Sequence, residues 1–351
     1  MTRRYHKPFA FLAGFLWDLL ALKRIDSLYS NARLSAYLLL LALLLIADLR
    51  IEYGRPPLRW LEPRRHWIQF GTQFFFGGLF SAYVVFYLKS TSLGPPLLFM
   101  VLLVALFVAN EFLDRYIRGH RLQLALYWFC AFSFLLFLVP VITGWLGFGV
   151  FILAGLLAFG VTALLTAAAS VPAPGGARAA LLRNGPIWGA FFVLLGVLYQ
   201  IDVIPPVPLS LTHAGVYHKV ERVGDEYRLT YESPAWYRFW VRSDEWFHYR
   251  EGDQACCFSA VFAPAGAEFT VHHRWQRLDR GSGRFKDTDL IAFRARGGRG
   301  AGYRGFTCKS RLASGHWRVS VENDADQELG RVSFIALPGK TGARDWATLI
   351  Y

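Results

Sequence analysis

Hydrophobic positions change character once along the chain, near Leu209. Before that point they form long runs free of interior charge: Leu34–Ala47, Trp67–Leu88, Leu93–Ala109, Leu122–Ile142, Leu146–Ala169 and Pro186–Ile201. A helix needs about 20 residues to cross the hydrocarbon core, and most of these runs reach that length with their flanks. A shorter run, Phe9–Leu22, carries Asp18 in its middle. Three arrangements fit it: a helix lying in the interface, a thin seventh span, or a signal peptide behind Arg3, Arg4 and Lys7. No small-residue cleavage pattern follows, and Lys23-Arg24 comes instead, which disfavours the last. Gly77-Gly78, in the second long run, suits close helix packing.

From Leu209 onward the period becomes two. Gly215–Val223, Glu226–Glu232, Ala255–Ala263, Glu268–Leu278, Thr288–Arg296, Gly302–Lys309, Gly315–Asn323 and Glu328–Leu337 are short, rich in β-branched and aromatic residues, and separated by turn residues. The pattern predicts a helical transmembrane bundle of six or seven spans followed by an all-β, immunoglobulin-like sandwich. The boundaries fall at 1–204 for the bundle, 205–210 for a proline-rich stalk (Pro205, Pro206, Pro208) and 211–351 for the sandwich. Alternation points Val271, His273 and Trp275 inward, with Trp317, Val319 and Val321 facing them. His272, Arg274, Arg318 and Ser320 take the opposite faces.

Charge fixes an orientation. The loop after the first long run holds Arg50, Arg55, Arg59, Arg64 and Arg65; the third holds Arg115, Arg118 and Arg121; the fifth holds Arg178 and Arg183. The second holds only Lys89 and the fourth holds none. The basic set belongs in the cytoplasm, which sends the β domain to the periplasmic face of a bacterial inner membrane. The basic N-terminus agrees with this only when Phe9–Leu22 also crosses.

Composition narrows the function classes. Of 351 residues 54% are hydrophobic and 18% charged, with a mean hydropathy of +0.30, against about 25% charged in soluble domains. The net charge of +13 divides into +9 for residues 1–208 and +4 for the rest. Most of it is membrane-flank charge, so nucleic acid is not required as a partner. No nucleophile elbow, phosphate loop or His-Glu-x-x-His occurs. The sequence therefore points to no enzyme, no cofactor and no metal site.

Four sets of residues remain as candidates. Gln69, Gln73, Asn110 and Glu111 sit at the cytoplasmic ends of spans, as caps or as a polar vestibule. Cys256 shares a face with Phe258, and Cys308 one with Phe306; a Cys256–Cys308 disulfide is preferred over free thiols or a metal or redox site. Trp236, Tyr237, Trp240 and Trp246 form a dense aromatic patch that packs on the sandwich edge, lies at the membrane interface or stacks on sugars. Arg296, Arg299 and Arg304 belong to a glycine-rich loop, a flexible hairpin or an anion-binding element.

Several of these segments also carry a resemblance. His273-Arg-Trp275, Gly305-Phe-Thr-Cys-Lys-Ser310, Gly315-His-Trp-Arg-Val-Ser-Val-Glu322 and Leu329-Gly-Arg-Val-Ser-Phe334 are similar to the bacterial domain of unknown function numbered 2914. Gln73-Phe-Phe-Phe-Gly-Gly-Leu-Phe-Ser-Ala-Tyr83, Asn110-Glu-Phe-Leu113 and Ile204-Pro-Pro-Val-Pro-Leu-Ser210 resemble the multi-pass subgroup that joins spans to this domain. Cys308 departs from the family's Ser-Ser-Lys pattern. The resemblance implies architecture and no activity. The functional expectation is a non-catalytic membrane protein presenting a periplasmic module to envelope polymers, lipids or protein partners. The alternative is a transporter or its accessory subunit.

Overall fold

The structure, a computed structural model, describes residues 28–52, 62–90, 96–112, 119–170, 175–201, 203–204, 209–238, 240–263, 269–295, 303–339 and 344–351. It divides into a helical unit ending at Pro208 and a β unit that takes in Leu209–Tyr351. Phe9–Leu22 and Pro205–Pro208 lie outside the described residues.

Each of the six long apolar runs falls on a helix: α1 Leu28–Glu52, α2 Arg65–Ser90, α3 Pro96–Phe112, α4 His120–Thr143, α5 Phe148–Ser170 and α6 Gly176–Gln200. Five of these are long and apolar enough to cross a membrane; α3 has a shorter apolar stretch, Leu98–Ala109. One boundary differs from the sequence pattern. The last helix starts at Gly176, so Arg178 and Arg183 lie on its first turns and Pro186 inside it. Proline is tolerated there because neighbouring membrane helices can satisfy the backbone group it frees. Glycine permits two close approaches. A Cβ at Gly78 would fall 2.7 Å from the Tyr37 ring, and one at Gly155 would fall 2.1 Å from Phe192.

Among the described residues the β unit has eleven strands: β1 Ser210–Tyr217, β2 Lys219–Val223, β3 Glu226–Glu232, β4 Trp246–Tyr249, β5 Ala255–Phe262, β6 Phe269–Asp279, β7 Arg284–Ala295, β8 Tyr303–Lys309, β9 Gly315–Glu322, β10 Glu328–Pro338 and β11 Trp346–Ile350. They form three sheets, ordered β1-β5-β8, β4-β10-β9-β6-β7 and β11-β3-β2. The segment read as Gly215–Val223 is two strands broken at His218. The strand read from Thr288 begins at Arg284, which lengthens its hairpin with β6. β4 and β11 had no alternation to reveal them.

The three-stranded sheet β1-β5-β8 is the middle layer. On one side Val216, Ala255 and Cys257 pack with Phe247, Trp275, Trp317, Val319 and Phe334. On the other Tyr217, Cys256, Phe258 and Ala260 pack with Val220, Tyr227, Leu229 and Tyr231. β5 is therefore buried on both faces, and its run Ala-Cys-Cys-Phe-Ser-Ala-Val-Phe carries no polar-out alternation. This differs from a two-layer sandwich with one core: the middle sheet separates two. β6 alternates as expected, with Val271, His273 and Trp275 buried. On β9, Trp317, Val319 and Val321 are buried, and Ser320 and Glu322 are buried behind them.

Candidate functional site

The C-terminal end of β3 leads into a single 3₁₀ turn, Trp236–Arg238, and then into β4. Trp236 is 89% exposed, Tyr237 58%, Trp240 64% and Trp246 56%. None of the four rings is buried in the core of the β unit. The Arg238 guanidinium lies 5.2 Å from the Trp246 ring centroid and pairs with Glu245.

Beneath this surface, β3, β4 and the lead into β11 converge on a polar network that sequence order does not reveal. His218 Nδ1 meets buried Asp244 Oδ2 at 2.9 Å, and the Glu232 amide donates to Asp244 Oδ1 at 2.9 Å. Burial raises the Asp244 carboxyl above its usual range, opposed by the His218 hydrogen bond. His218 Nε2 lies 3.2 Å from the His248 carbonyl, and its ring stacks on Phe247 with centroids 3.9 Å apart. On the side of β4 that also carries Trp246, His248 Nδ1 meets Glu232 Oε2 at 2.6 Å. Its Nε2 has no partner among the described residues. Arg344 donates to the His248 carbonyl at 2.6 Å and to Asp253 at 2.7 Å. Burial is the largest single influence on the Asp253 carboxyl and raises it, but the Arg344 hydrogen bond and charge together with the Arg250 amide outweigh it and hold the carboxyl below its usual range. The network fixes the backbone of the edge strand that carries Trp246.

The other candidates are placed elsewhere. Arg304 donates to the Tyr351 and Asp225 carbonyls at 3.0 and 2.8 Å and lies over the Tyr227 ring. Among the described residues it makes no contact with the aromatic patch. Arg296 and Arg299 lie outside the described residues. Cys256 and Cys308 are cross-strand neighbours in β5 and β8 and form a disulfide; Cys257 and Cys130 are buried thiols. Among the described residues, no group of three His, Cys, Asp or Glu side chains could hold a metal ion.

His273 is the most deeply built polar residue of the β unit. Its Nε2 lies 2.8 Å from Ser259 Oγ and its Nδ1 2.8 Å from Thr307 Oγ1, which also accepts from the Trp275 indole at 3.2 Å. Burial pushes its pKa down to about 3. A neutral ring satisfies these partners, and its inaccessibility makes the site structural.

In the helical unit, Gln69 and Gln73 lie one turn apart on α2, half-buried. The side chains of Asn110 and Glu111 lie outside the described residues. At the same end, Arg65 bonds Asp48 at 2.6 Å and Glu52 at 2.8 Å, and His120 meets Glu52, joining α1, α2 and α4. Arg50 donates to the Ala168 carbonyl of α5 at 2.9 Å. These contacts are interhelical caps.

A search of curated proteins finds no match. Among solved structures the chain aligns with a Pseudomonas fluorescens alkylpurine DNA glycosylase AlkC bound to DNA containing an abasic site analog. That alignment has 14% identity over 89% of this chain and 99% of that chain, with a TM-score of 0.19. A superposition so poor carries no argument. Residues 268–335, from the start of β6 into β10 and including His273, Trp275 and Trp317, match the family described as protein of unknown function DUF2914.

Proposed function

We propose that this chain is a non-catalytic inner-membrane protein whose β unit is a periplasmic binding module with an aromatic recognition surface. The observation that carries this reading is the exposure of Trp236, Tyr237, Trp240 and Trp246 on an edge held by the His218–Asp244–Glu232–His248–Arg344 network. Exposed aromatics in such a cluster are where binding energy concentrates. The loop-charge bias supports the periplasmic placement. Six spans are supported if α3, at about 1.5 Å per residue, crosses with help from its flanks; a seventh would be Phe9–Leu22. The immunoglobulin-like description is supported by the antiparallel pairing of β5, β6, β8 and β9 around Trp275 and Trp317, with β11-β3-β2 as an added layer.

One observation favours a transporter or accessory subunit instead. Gln123 Oε1 on α4, Thr162 Oγ1 and Thr166 Oγ1 on α5 and Asn184 Oδ1 on α6 are buried without partners among the described residues. Buried polar atoms without partners are uncommon, and a polar solute between the helices would satisfy them. Alkaline phosphatase and a fluorescent protein, fused separately after Ser210 and after Tyr351, test the placement: active phosphatase and dark fluorescence support it, and the reverse overturns it. Given any growth phenotype of gene loss, deletion of residues 209–351 abolishes complementation under the module reading. Gln73→Glu or Glu111→Gln does so under the transporter reading.

A further inference from the structure

Two buried imidazoles of the β unit look alike and differ in the hydrogens their partners can supply. Both ring nitrogens of His273 face hydroxyls, of Ser259 and Thr307. A hydroxyl donates or accepts, so a neutral ring is enough there. His218 also uses both nitrogens: Nδ1 lies 2.9 Å from Asp244 Oδ2, and Nε2 lies 3.2 Å from the His248 carbonyl oxygen. A carbonyl oxygen only accepts, and so does an ionised carboxylate. A neutral imidazole beside an ionised Asp244 therefore has one hydrogen for two contacts. Both contacts form only with one proton more, carried on the imidazolium or on Asp244 as an acid that donates to Nδ1.

The surroundings suit that proton. The side chains of His218 and Asp244 are 6% and 1% exposed, so water has little access to a contact left unmade. Glu232, at the end of β3, places Oε1 3.9 Å from His218 Nε2. Arg344 pairs with Glu232 and with Asp253, which leaves His218 as the cationic partner of Asp244 among the described residues. His248 of β4 engages Glu232 through Nδ1 alone, and one hydrogen serves it. The Tyr217 phenol of β1, near Asp244, is raised by burial and stays neutral. Phe247 and Trp346 cover the His218 ring without titrating.

We infer that His218 and Asp244 form a proton-binding site that clamps β4: with the proton bound, His218 ties the His248 carbonyl to Asp244, and without it one of the two contacts is lost. This goes beyond the proposed function and makes the order of the strand that carries Trp246 depend on pH. The closed pair holds a proton that an opened His218 gives up above about pH 6.5, so closure weakens as pH rises. One proton limits the slope to about tenfold per pH unit.

The test is hydrogen exchange of residues 245–250 in the full chain in detergent, expressed as protection relative to intrinsic exchange, at about pH 6 and about pH 8. Protection in the wild type should fall about tenfold between them. In Asp244→Asn the amide can donate to Nδ1 while its oxygen keeps the Glu232 amide, so a neutral ring satisfies both contacts. Protection in that variant should change by less than about twofold. His218→Gln, which cannot charge, takes its place should Asp244→Asn fail to fold. Wild-type protection that is equal at the two pH values overturns the proton site, and so does a parallel fall in the variant.

Discussion

His273 makes the stability of the β unit acid-sensitive by an amount that can be worked out. In the fold the ring is neutral, wedged between Ser259 and Thr307, with a pKa of about 3 against an ordinary 6.5. Between those values the unfolded chain binds a proton that the folded chain refuses, so stability rises with pH across this window. The contribution is fully present above about pH 6.5 and is lost progressively as pH falls toward 3. At about 1.36 kcal/mol per pH unit, moving from pH 7 to pH 5 removes about 2 kcal/mol. His273→Gln keeps hydrogen-bonding groups but cannot charge. Its cost at pH 7 is about 1–3 kcal/mol, and the gap to wild type shrinks by about 2 kcal/mol at pH 5. The assay is guanidinium unfolding of the full chain in detergent at both pH values, read by dithiodipyridine labelling of Cys257. That thiol lies in the core beside Trp275, and a Cys130→Ala background leaves it as the reporter. Asp244, whose raised carboxyl acts in the opposite sense, is common to both proteins and cancels. Parallel loss of stability in wild type and His273→Gln would refute a buried neutral His273.

Three further outcomes follow from the packing. Cys308→Ser opens a cross-link spanning 52 residues; the chain-entropy cost is about 4 kcal/mol, read as a lower guanidinium midpoint that reducing agent does not lower further. Gly305→Ala places a Cβ 2.2 Å from the Phe293 ring, itself edge-on to His273; the expected loss is about 1–3 kcal/mol, and Phe293→Leu in the same chain should recover part of it. Arg65→Ala removes the hydrogen-bonded partner of buried Asp48 and leaves it, among the described residues, only His120 Nδ1 at 3.8 Å, at a cost of about 1–3 kcal/mol, seen as earlier thermal aggregation in detergent. Adding Asp48→Asn should restore most of that loss, and a failure to do so would remove the ion pair as the cause.

The helices could be located from the sequence because each is a long apolar run, and only the proline inside α6 misplaced a boundary. The faces of β6 and β9 could be read because one side of each meets the core and the other a polar layer. β5 is different: covered on both sides, it shows no period, and nothing local announces a middle sheet. β4 and β11 are short, and their partners β10 and β3 lie far away in sequence. The aromatic patch was visible as composition, but its exposure was not, since the same residues serve a core equally well. The network was invisible because Glu232 and His248 lie on two different strands and His218, Asp244 and Arg344 lie in three separate connections. A hint existed in the spacing of Trp246 and His248, two apart and hence on one side of a strand.

The placement of β11 bears on how the protein is made. Trp346–Ile350 pairs with Arg228–Glu232, more than one hundred residues upstream, and Tyr351 exchanges backbone hydrogen bonds with Tyr227. The Tyr351 ring also covers Phe258 of the middle sheet. Strand β3, among the first of the unit to be translated, therefore lacks its β11 partner until the C-terminal strand has been synthesised. Contacts this distant form slowly, and in the interval the apolar faces of β3 and β5 stand open to other chains. Biogenesis of this protein thus contains a vulnerable period whose length is set by synthesis of residues 233–351, and holding chaperones would be needed most during that period.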